Sequence, residues 1–304
     1  MKSARRLLRT LLLVQLGAAL LIAWAVAARA GLAPWQAVLI GLACVALARL
    51  LINMNNFAMA ARFASATPPA FRLGARARLR LLAEEFKASM LVTSWQVPRA
   101  SAATRIHPGS RQVPVLLLHG YGCNSGYWAH LTLLLDAARI SHAGVDLEPV
   151  AGSIDGYVPL VEQAVQNLRA QTGAHTIAIV AHSMGGLVAR AWMRAHGTAR
   201  VARVITLGTP HHGTALACFG LGQNAFQMRP GSPWLRALAE GEDAATRALV
   251  TSLYSHHDNI VSPQESSRLP GARNLEFGGI GHVALGSNPR VLAAVMQELA
   301  ALVS

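Results

Sequence analysis

The apolar and polar positions divide this chain into two unlike parts. Near the N-terminus, two uncharged runs of 19 residues follow one another, from Thr10 to Ala28 and from Ala30 to Ala48. At 1.5 Å per residue, each run spans a hydrocarbon core of ~30 Å when it is helical. From residue 113 onward, short β-branched runs alternate with stretches of helical periodicity. The first part therefore predicts membrane helices, and the second predicts an α/β domain.

The alternating part predicts a mostly parallel sheet covered by helices on both faces. The predicted strands are 113–118, 175–181, 203–208, 249–254 and 273–279, and the predicted helices lie near 126–138, 156–171, 185–196 and 289–302. Residues 215–238 are apolar but irregular, with Gly and Pro breaks, and they predict either a cap over an apolar substrate or a poorly packed connection. The expected class is α/β with a cap insertion near 210–245.

The N-terminal runs leave the topology open. Arg9 and Arg29 flank the first run, whereas Gly31, Pro34 and Gln36 weaken the start of the second. If both segments span, the positive-inside rule places the following domain in the cytoplasm with the N-terminus. If only the first spans, the domain faces the periplasm. The hairpin is the favoured arrangement. A cleaved signal peptide is the alternative, but its apolar core is usually only about 7–15 residues long.

The excess of positive charge is confined to one part of the chain. The net charge of +13 arises within residues 1–111, which contain 15 Lys or Arg and two acids, while residues 112–304 contain 12 basic and 12 acidic residues. A basic segment beside apolar runs indicates contact with membrane lipids and argues against nucleic-acid binding. The chain has three cysteines, too few for a disulfide framework: Cys44, Cys123 and Cys218.

Three parts are predicted from these patterns. Residues 1–55 form a membrane-anchoring segment with one or two transmembrane helices, and residues 56–111 form a basic juxtamembrane linker. Residues 112–304 form the α/β domain. Within the linker, residues 72–90 have helical periodicity, and this helix either rests on anionic lipid or is a solvated connection.

A candidate nucleophile lies in the stretch from Ile177 to Arg190. An apolar strand ends at Ala181, Ser183 follows, and Gly185 and Gly186 open a helix. A serine on a sharp strand-to-helix turn projects from the backbone, and small neighbours allow that turn to close. The pattern is G-x-S-x-G with alanine in the first position. It favours a nucleophilic Ser183 over an ordinary glycine-rich turn.

A candidate acid and a candidate base follow Ser183 in the chain order that this arrangement requires. Asp258 comes just after a predicted strand, where a loop would carry a catalytic acid. His282 is the one histidine after Asp258 and lies in a glycine-flanked loop. We therefore expect a Ser183, Asp258 and His282 triad.

The remaining candidates surround this triad. The backbone N–H groups of Met184 and Tyr121 are the expected oxyanion donors. The preceding His119 is expected to hold its loop by hydrogen bonds, and the His211–His212 pair is expected to be structural rather than metal-binding. Aromatic residues expected to line an acyl pocket, or otherwise to pack, are Tyr127, Trp128, Phe219, Phe226 and Trp234.

Over roughly residues 112–304 the chain resembles the α/β-hydrolase superfamily, in its bacterial lipase and esterase branch. The segments that carry this resemblance are HGYG, AHSMGG, TPHHGT, YSHHDNIVSP and GIGH. TPHHGT is similar to a loop of triacylglycerol lipases and of their lipid-remodelling deacylase relatives. The resemblance implies an α/β-hydrolase fold with Ser183 as nucleophile, Asp258 as acid and His282 as base.

The resemblance also implies an activity: cleavage of carboxylic esters of apolar acyl substrates through an acyl-enzyme. The N-terminal apolar segments depart from the secreted lipases, and from them we expect anchoring in a bacterial inner membrane. No cofactor and no metal are expected, since the calcium ligands of some lipase families have no match here. Three alternatives remain open. They are an acyltransferase, a deacylase of lipids or lipidated proteins, and a catalytically silent membrane interaction module.

Overall fold

The structure, a computed structural model, describes residues 3–302, and within that range seven strands form one sheet in the order β1-β3-β2-β4-β5-β6-β7. Neighbouring strands are parallel except β1, which pairs antiparallel with β3. The strands are β1 (Thr104–Arg105), β2 (Val115–Leu118), β3 (His142–Val145), β4 (Ile177–His182), β5 (Val201–Leu207), β6 (Val250–Ser255) and β7 (Arg273–Phe277). The predicted class is confirmed, and all five predicted strands are present.

Helices cover the sheet and precede it. They are α1 (Ala4–Ala30), α2 (Pro34–Arg62), α3 (Ala75–Leu91), α4 (Val97–Arg99), α5 (Ala129–Ala137), α6 (Val158–Thr172), α7 (Met184–His196), α8 (Gln223–Gln227), α9 (Pro233–Glu240), α10 (Ala244–Ala248) and α11 (Pro289–Ala300). The four predicted domain helices correspond to α5, α6, α7 and α11. The segment predicted as irregular, 215–238, instead contains α8 and most of α9. Their lengths of five and eight residues are too short to establish a helical period in the sequence.

The core lies on both faces of the sheet. Successive side chains of a strand point to opposite faces. Leu116 of β2 therefore packs on the side of α6 and α7, whereas Leu117 packs on the side of α5 and α11. Both layers are buried, as expected for a parallel sheet between two layers of helices.

The two N-terminal helices pack against each other through small residues. A Cβ added at Gly41 of α2 would overlap the backbone of Ala19 of α1, so the helices are in direct contact there. Both helices are long and apolar enough to cross a membrane, with 27 and 29 residues. Large apolar side chains on their outer faces are exposed, among them Leu13, Leu21, Trp24, Trp35 and Leu51. Close contacts at Gly and Ala with large side chains outward suit a lipid environment.

The C-terminal end of α2 is attached to the α/β domain. The Ser262 hydroxyl donates to the carbonyl of Ala60 at 2.7 Å, and the Ser65 N–H donates to Gln264 Oε1 at 3.1 Å. Since residues 262–264 follow β6, these bonds attach α2 beside the carboxyl ends of the strands. The second apolar helix, α2, is therefore in contact with the α/β domain at the carboxyl ends of the strands.

Candidate active site

Ser183 occupies the sharp turn between β4 and α7. Its φ of 53° and ψ of −125° are unusual for a residue with a side chain, and such strain persists only where the surroundings enforce it. The Ser183 N–H donates to the Leu207 carbonyl at 2.9 Å, and the Ser183 carbonyl accepts from Thr209 Oγ1 at 2.8 Å. The turn is therefore held from β5 and its following loop.

Two glycines after Ser183 allow the turn to close. A Cβ at Gly185 would overlap the carbonyl of Leu118, and a Cβ at Gly186 would overlap the side chain of Thr209. The first turn of α7 thus fits between the ends of β2 and β5 because positions 185 and 186 have no side chain. This close approach is the physical reason for the glycine pair that the sequence carries.

Asp258 and His282 form a buried pair. His282 Nδ1 lies 2.7 Å from Asp258 Oδ2 and donates to it. The other carboxylate oxygen accepts from the backbone N–H groups of Ile260 at 2.8 Å and Val261 at 2.7 Å. These bonds fix the carboxylate, which in turn places the proton of the neutral imidazole on Nδ1. His282 Nε2 then has the lone pair that a general base requires.

The charge of the carboxylate changes the affinity of His282 for protons. Burial favours the neutral imidazole, but the negative charge and the hydrogen bond of Asp258 outweigh burial. The pKa of His282 is therefore raised above its ordinary value. A positive charge on this imidazole is correspondingly stabilised.

His182, directly before Ser183, contacts His282. Its ring lies 4.6 Å from the ring of His282, centroid to centroid, and its Nε2 lies 3.2 Å from the His282 carbonyl. Tyr127 stacks on His182 at 4.0 Å. Burial, with the charge of His282 adding, holds the pKa of His182 well below its ordinary value. His182 is thus a neutral residue that packs between the β4–α7 turn and the His282 loop.

A buried carboxylate that the sequence pattern does not reveal, Glu85, lies beside the His282 loop. It lies on α3, and its oxygens accept from the N–H groups of Val283 at 3.0 Å and Ala284 at 2.9 Å. A Cβ at Gly281 would overlap this carboxylate. Residues 72–90 were predicted to contact lipid or solvent, but one face of α3 packs on the domain. One sequence feature singles out this position: Glu84 and Glu85 are the two acidic residues in a basic third of the chain.

The loop after β2 lies against Ser183. A Cβ at Gly120 would lie 2.9 Å from Ser183 Cβ. His119 Nε2 accepts from the Leu147 N–H at 2.8 Å, and its Nδ1 donates to the Gly120 carbonyl at 2.8 Å, so this histidine holds the loop. Both predicted oxyanion donors are near: Tyr121 is in this loop, and Met184 begins α7, where the first N–H groups lack helical partners.

An apolar cavity of about 550 Å³ opens beside Ser183. Its wall has three sources: loops at the strand ends, the cap, and the C-terminal part of α2. The lining residues are Asn55, Asn56 and Met59 of α2, Tyr121, Ser183, Pro210, Thr214, Leu216, Ala217, Phe219, Gly220, Ala225, Met228, Ile260 and Val261. A cavity of about 620 Å³ between α3 and α11 does not include Ser183.

The predicted acyl-pocket residues divide between the cavity and the core. Phe219 lines the cavity, whereas Tyr127 and Trp128 are buried in the core beneath α5 and do not reach it. Trp234 donates its indole N–H to Asp155 at 2.6 Å, and Phe226 lies on the outer surface of the cap. The prediction for these last four residues needs correction, because an aromatic residue in a glycine-rich loop or cap does not reveal which way it points.

The His211–His212 loop is structural. His211 is buried against Arg190, which donates to its carbonyl at 3.2 Å and pairs with Glu242 at 2.6 Å. Burial, with the charge of Arg190 adding, holds the pKa of His211 well below its ordinary value. The loop therefore supports α7 through neutral His211 and a buried ion pair.

Within residues 3–302, one group of three side chains has metal-ligating atoms near one another: His107, Asp136 and His142. His107 Nε2 donates to Asp136 Oδ1 at 3.0 Å, and Arg105 Nε lies 3.7 Å from the same oxygen. The cluster lies where β3 begins, at the opposite edge of the sheet from Ser183. The carboxylate already has two positively charged or hydrogen-bonding partners, and the group is remote from the candidate site.

Comparison with known proteins agrees with this architecture. Residues 153–268 match the family model described as a PGAP1-like alpha/beta domain. A lipase of Bacillus licheniformis, BlEst2 in its mature form, superposes with a TM-score of 0.58 at 19% identity, over 66% of this chain and 97% of that one. The chain has the α/β-hydrolase fold. Lipase B of Aspergillus fumigatus has a TM-score of 0.56 at 19% identity, over 66% of this chain and 56% of that one.

The α/β-hydrolase fold thus confirms the resemblance found in the sequence. Both of these neighbours are described as lipases. The fold is one that supports hydrolysis of ester bonds in general.

Proposed function

We propose that this chain is a membrane-anchored serine hydrolase that cleaves carboxylic esters of apolar acyl groups. The proposal rests on one arrangement above all: a strained Ser183 lines an apolar cavity, and the buried Asp258–His282 pair packs against His182, the residue directly before Ser183. The three side chains have the roles of nucleophile, acid and base. Their chain order is that of the nucleophile-elbow hydrolases.

The reaction proceeds in two acyl-transfer steps. His282 Nε2 takes the proton of the Ser183 hydroxyl while Oγ forms a bond to the ester carbonyl carbon. The N–H groups of Met184 and Tyr121 stabilise the resulting oxyanion. His282 then gives the proton to the departing alcohol as its C–O bond breaks. Water repeats the sequence on the acyl-enzyme, which releases the carboxylic acid and restores Ser183.

Membrane anchoring is assigned to residues 1–55. In this proposal α1 and α2 cross a bacterial inner membrane as a hairpin, residues 56–111 form the juxtamembrane linker, and residues 112–304 form the catalytic domain. Arg9 and Arg49 flank the hairpin on its open side, which places the domain on the cytoplasmic side by the positive-inside rule.

Hydrolysis of p-nitrophenyl esters by the full chain in detergent tests this function. The rate is expected to rise from acetyl to palmitoyl esters, because the cavity beside Ser183 has a predominantly apolar wall. Release of p-nitrophenol measures it. Absence of hydrolysis for every ester would contradict the proposed chemistry, whereas activity confined to the shortest esters would contradict the assignment of apolar acyl substrates.

A further inference from the structure

One wall of the candidate active site belongs to a membrane-type helix. Asn55, Asn56 and Met59 of α2 line the same cavity as Ser183. The bond from Ser262 to the Ala60 carbonyl fixes this part of α2 to the loop after β6. The helix that carries the apolar run therefore also forms part of the wall of the apolar cavity beside Ser183.

The helical rise sets the distance between that cavity and the apolar run. The uncharged run of α2 ends at Ala48, and Leu50 to Ile52 extend its apolar part when the long Arg49 side chain reaches toward the membrane interface. α2 is a continuous helix to Arg62. Asn55 lies three residues and Met59 seven residues beyond Ile52, which corresponds to about 5 Å and about 10 Å along the axis. A bilayer adds roughly 5–8 Å of polar interface on each side of its hydrocarbon core. The cavity is therefore at the level of lipid headgroups when α2 spans.

The cap adds an apolar surface next to the cavity mouth. Leu221 and Phe226 are 79% and 55% exposed, and Phe219, part of the cavity wall, is 67% exposed. The Tyr121 hydroxyl, also at the wall, donates to the Leu221 carbonyl at 2.7 Å. The Arg229 guanidinium lies 5.0 Å from the Phe226 ring centroid. Apolar side chains with a neighbouring cation are typical of segments that rest in a membrane interface.

We propose that the site takes its substrate directly from the bilayer. The substrate is a membrane-resident acyl lipid whose ester bond lies at headgroup level, and its acyl chain passes beside Met59 into the cavity. The cap surface formed by Phe219, Leu221 and Phe226 rests on the same leaflet. This inference depends on the proposed ester hydrolysis and adds the physical state of the substrate to it.

The route of delivery is tested with the full chain reconstituted in phosphatidylcholine vesicles. p-Nitrophenyl palmitate is placed either in the same vesicles or in separate ones, at equal total concentration. We expect hydrolysis to be at least about tenfold faster in the same vesicles, because a shared membrane raises the effective concentration. Equal rates would overturn delivery from the bilayer. Soluble p-nitrophenyl acetate reports ester hydrolysis separately, and failure with both esters would overturn the proposed function as well.

A matched pair of leucine variants tests the cap surface in the same assay. Leu221→Glu puts a charge on that surface and is expected to lower the rate with palmitate in the same vesicles, relative to acetate, by at least about fivefold. Leu133→Glu makes the same change at a 68% exposed position on α5. It is expected to leave this ratio within about twofold of the unmodified chain. An equal effect of the two variants would contradict contact between the cap and the membrane.

A second pair of variants tests α2 as a wall of the acyl site. Met59→Trp fills the cavity, and we expect the ratio of palmitate to acetate hydrolysis to fall at least about tenfold. Met59→Ala enlarges the cavity and is expected to move the preferred chain length upward, so the two changes act in opposite directions. Met54→Trp, on the same helix but outside the lining, is the control. An unchanged chain-length profile in both Met59 variants would overturn the assignment.

Discussion

Replacement of Ser183 by alanine is expected to lower the turnover of p-nitrophenyl esters by at least ~10³-fold. The change removes the one hydroxyl that lies on the strained elbow between β4 and α7. Without it, no acyl-enzyme forms, and the remaining rate comes from binding and oxyanion stabilisation alone. Steady-state rates with a short and a long ester measure the loss.

The fold of the Ser183→Ala chain is expected to remain intact. The bonds that hold the elbow use the Ser183 backbone, to Leu207 and Thr209, and alanine retains both. Thermal unfolding should therefore be close to that of the unmodified chain. Ser110→Ala, in the loop before β2, is a matched control that should retain activity. Near-normal turnover in the Ser183 variant would contradict the assigned nucleophile.

Among the predicted strands, β2 and β4 have the clearest apolar signal. β2 and β4 are buried on both faces and appear in the sequence as short runs of Val, Ile, Leu and Ala. β3 has the sequence HAGV, with a single β-branched residue, and β1 has only two residues. β3 is a strand because it pairs with β2, and β1 is a strand because it pairs with β3. Such pairing between distant segments leaves little hydrophobic periodicity in the sequence.

The three candidate catalytic residues could also be predicted from the sequence, because each belongs to a local pattern. Ser183 comes directly after a strand, Asp258 and His282 lie in the loops that follow two others, and parallel strands bring their carboxyl ends to one edge of a sheet. Glu85 and Met59 instead come from helices that precede the domain by tens of residues. Their positions depend on how α2 and α3 dock on the sheet, which no spacing in the sequence encodes.

Replacement of Asp258 by asparagine is expected to lower turnover by about 10⁴-fold, as the equivalent change does in a serine protease of the Ser-His-Asp type. Asparagine retains the shape of the side chain but offers an amide N–H to His282 Nδ1. The imidazole proton then moves to Nε2, the nitrogen that must accept the proton of Ser183. The loss should appear in kcat, since the apolar cavity is unchanged.

The pH dependence separates this role from a loss of structure. In the unmodified chain the base works only when His282 is neutral, so kcat/KM rises with pH through a pKa that Asp258 holds above 6.5. In Asp258→Asn the carboxylate charge is gone, and burial favours the neutral imidazole, whereas the charge of Glu85 opposes it. The acidic limb should therefore move to lower pH. Profiles of kcat/KM from about pH 5 to pH 9 measure it. Asp136→Asn, at the far edge of the sheet, should leave the limb in place, and an unmoved limb in Asp258→Asn would contradict the assignment of Asp258 as the partner of the base.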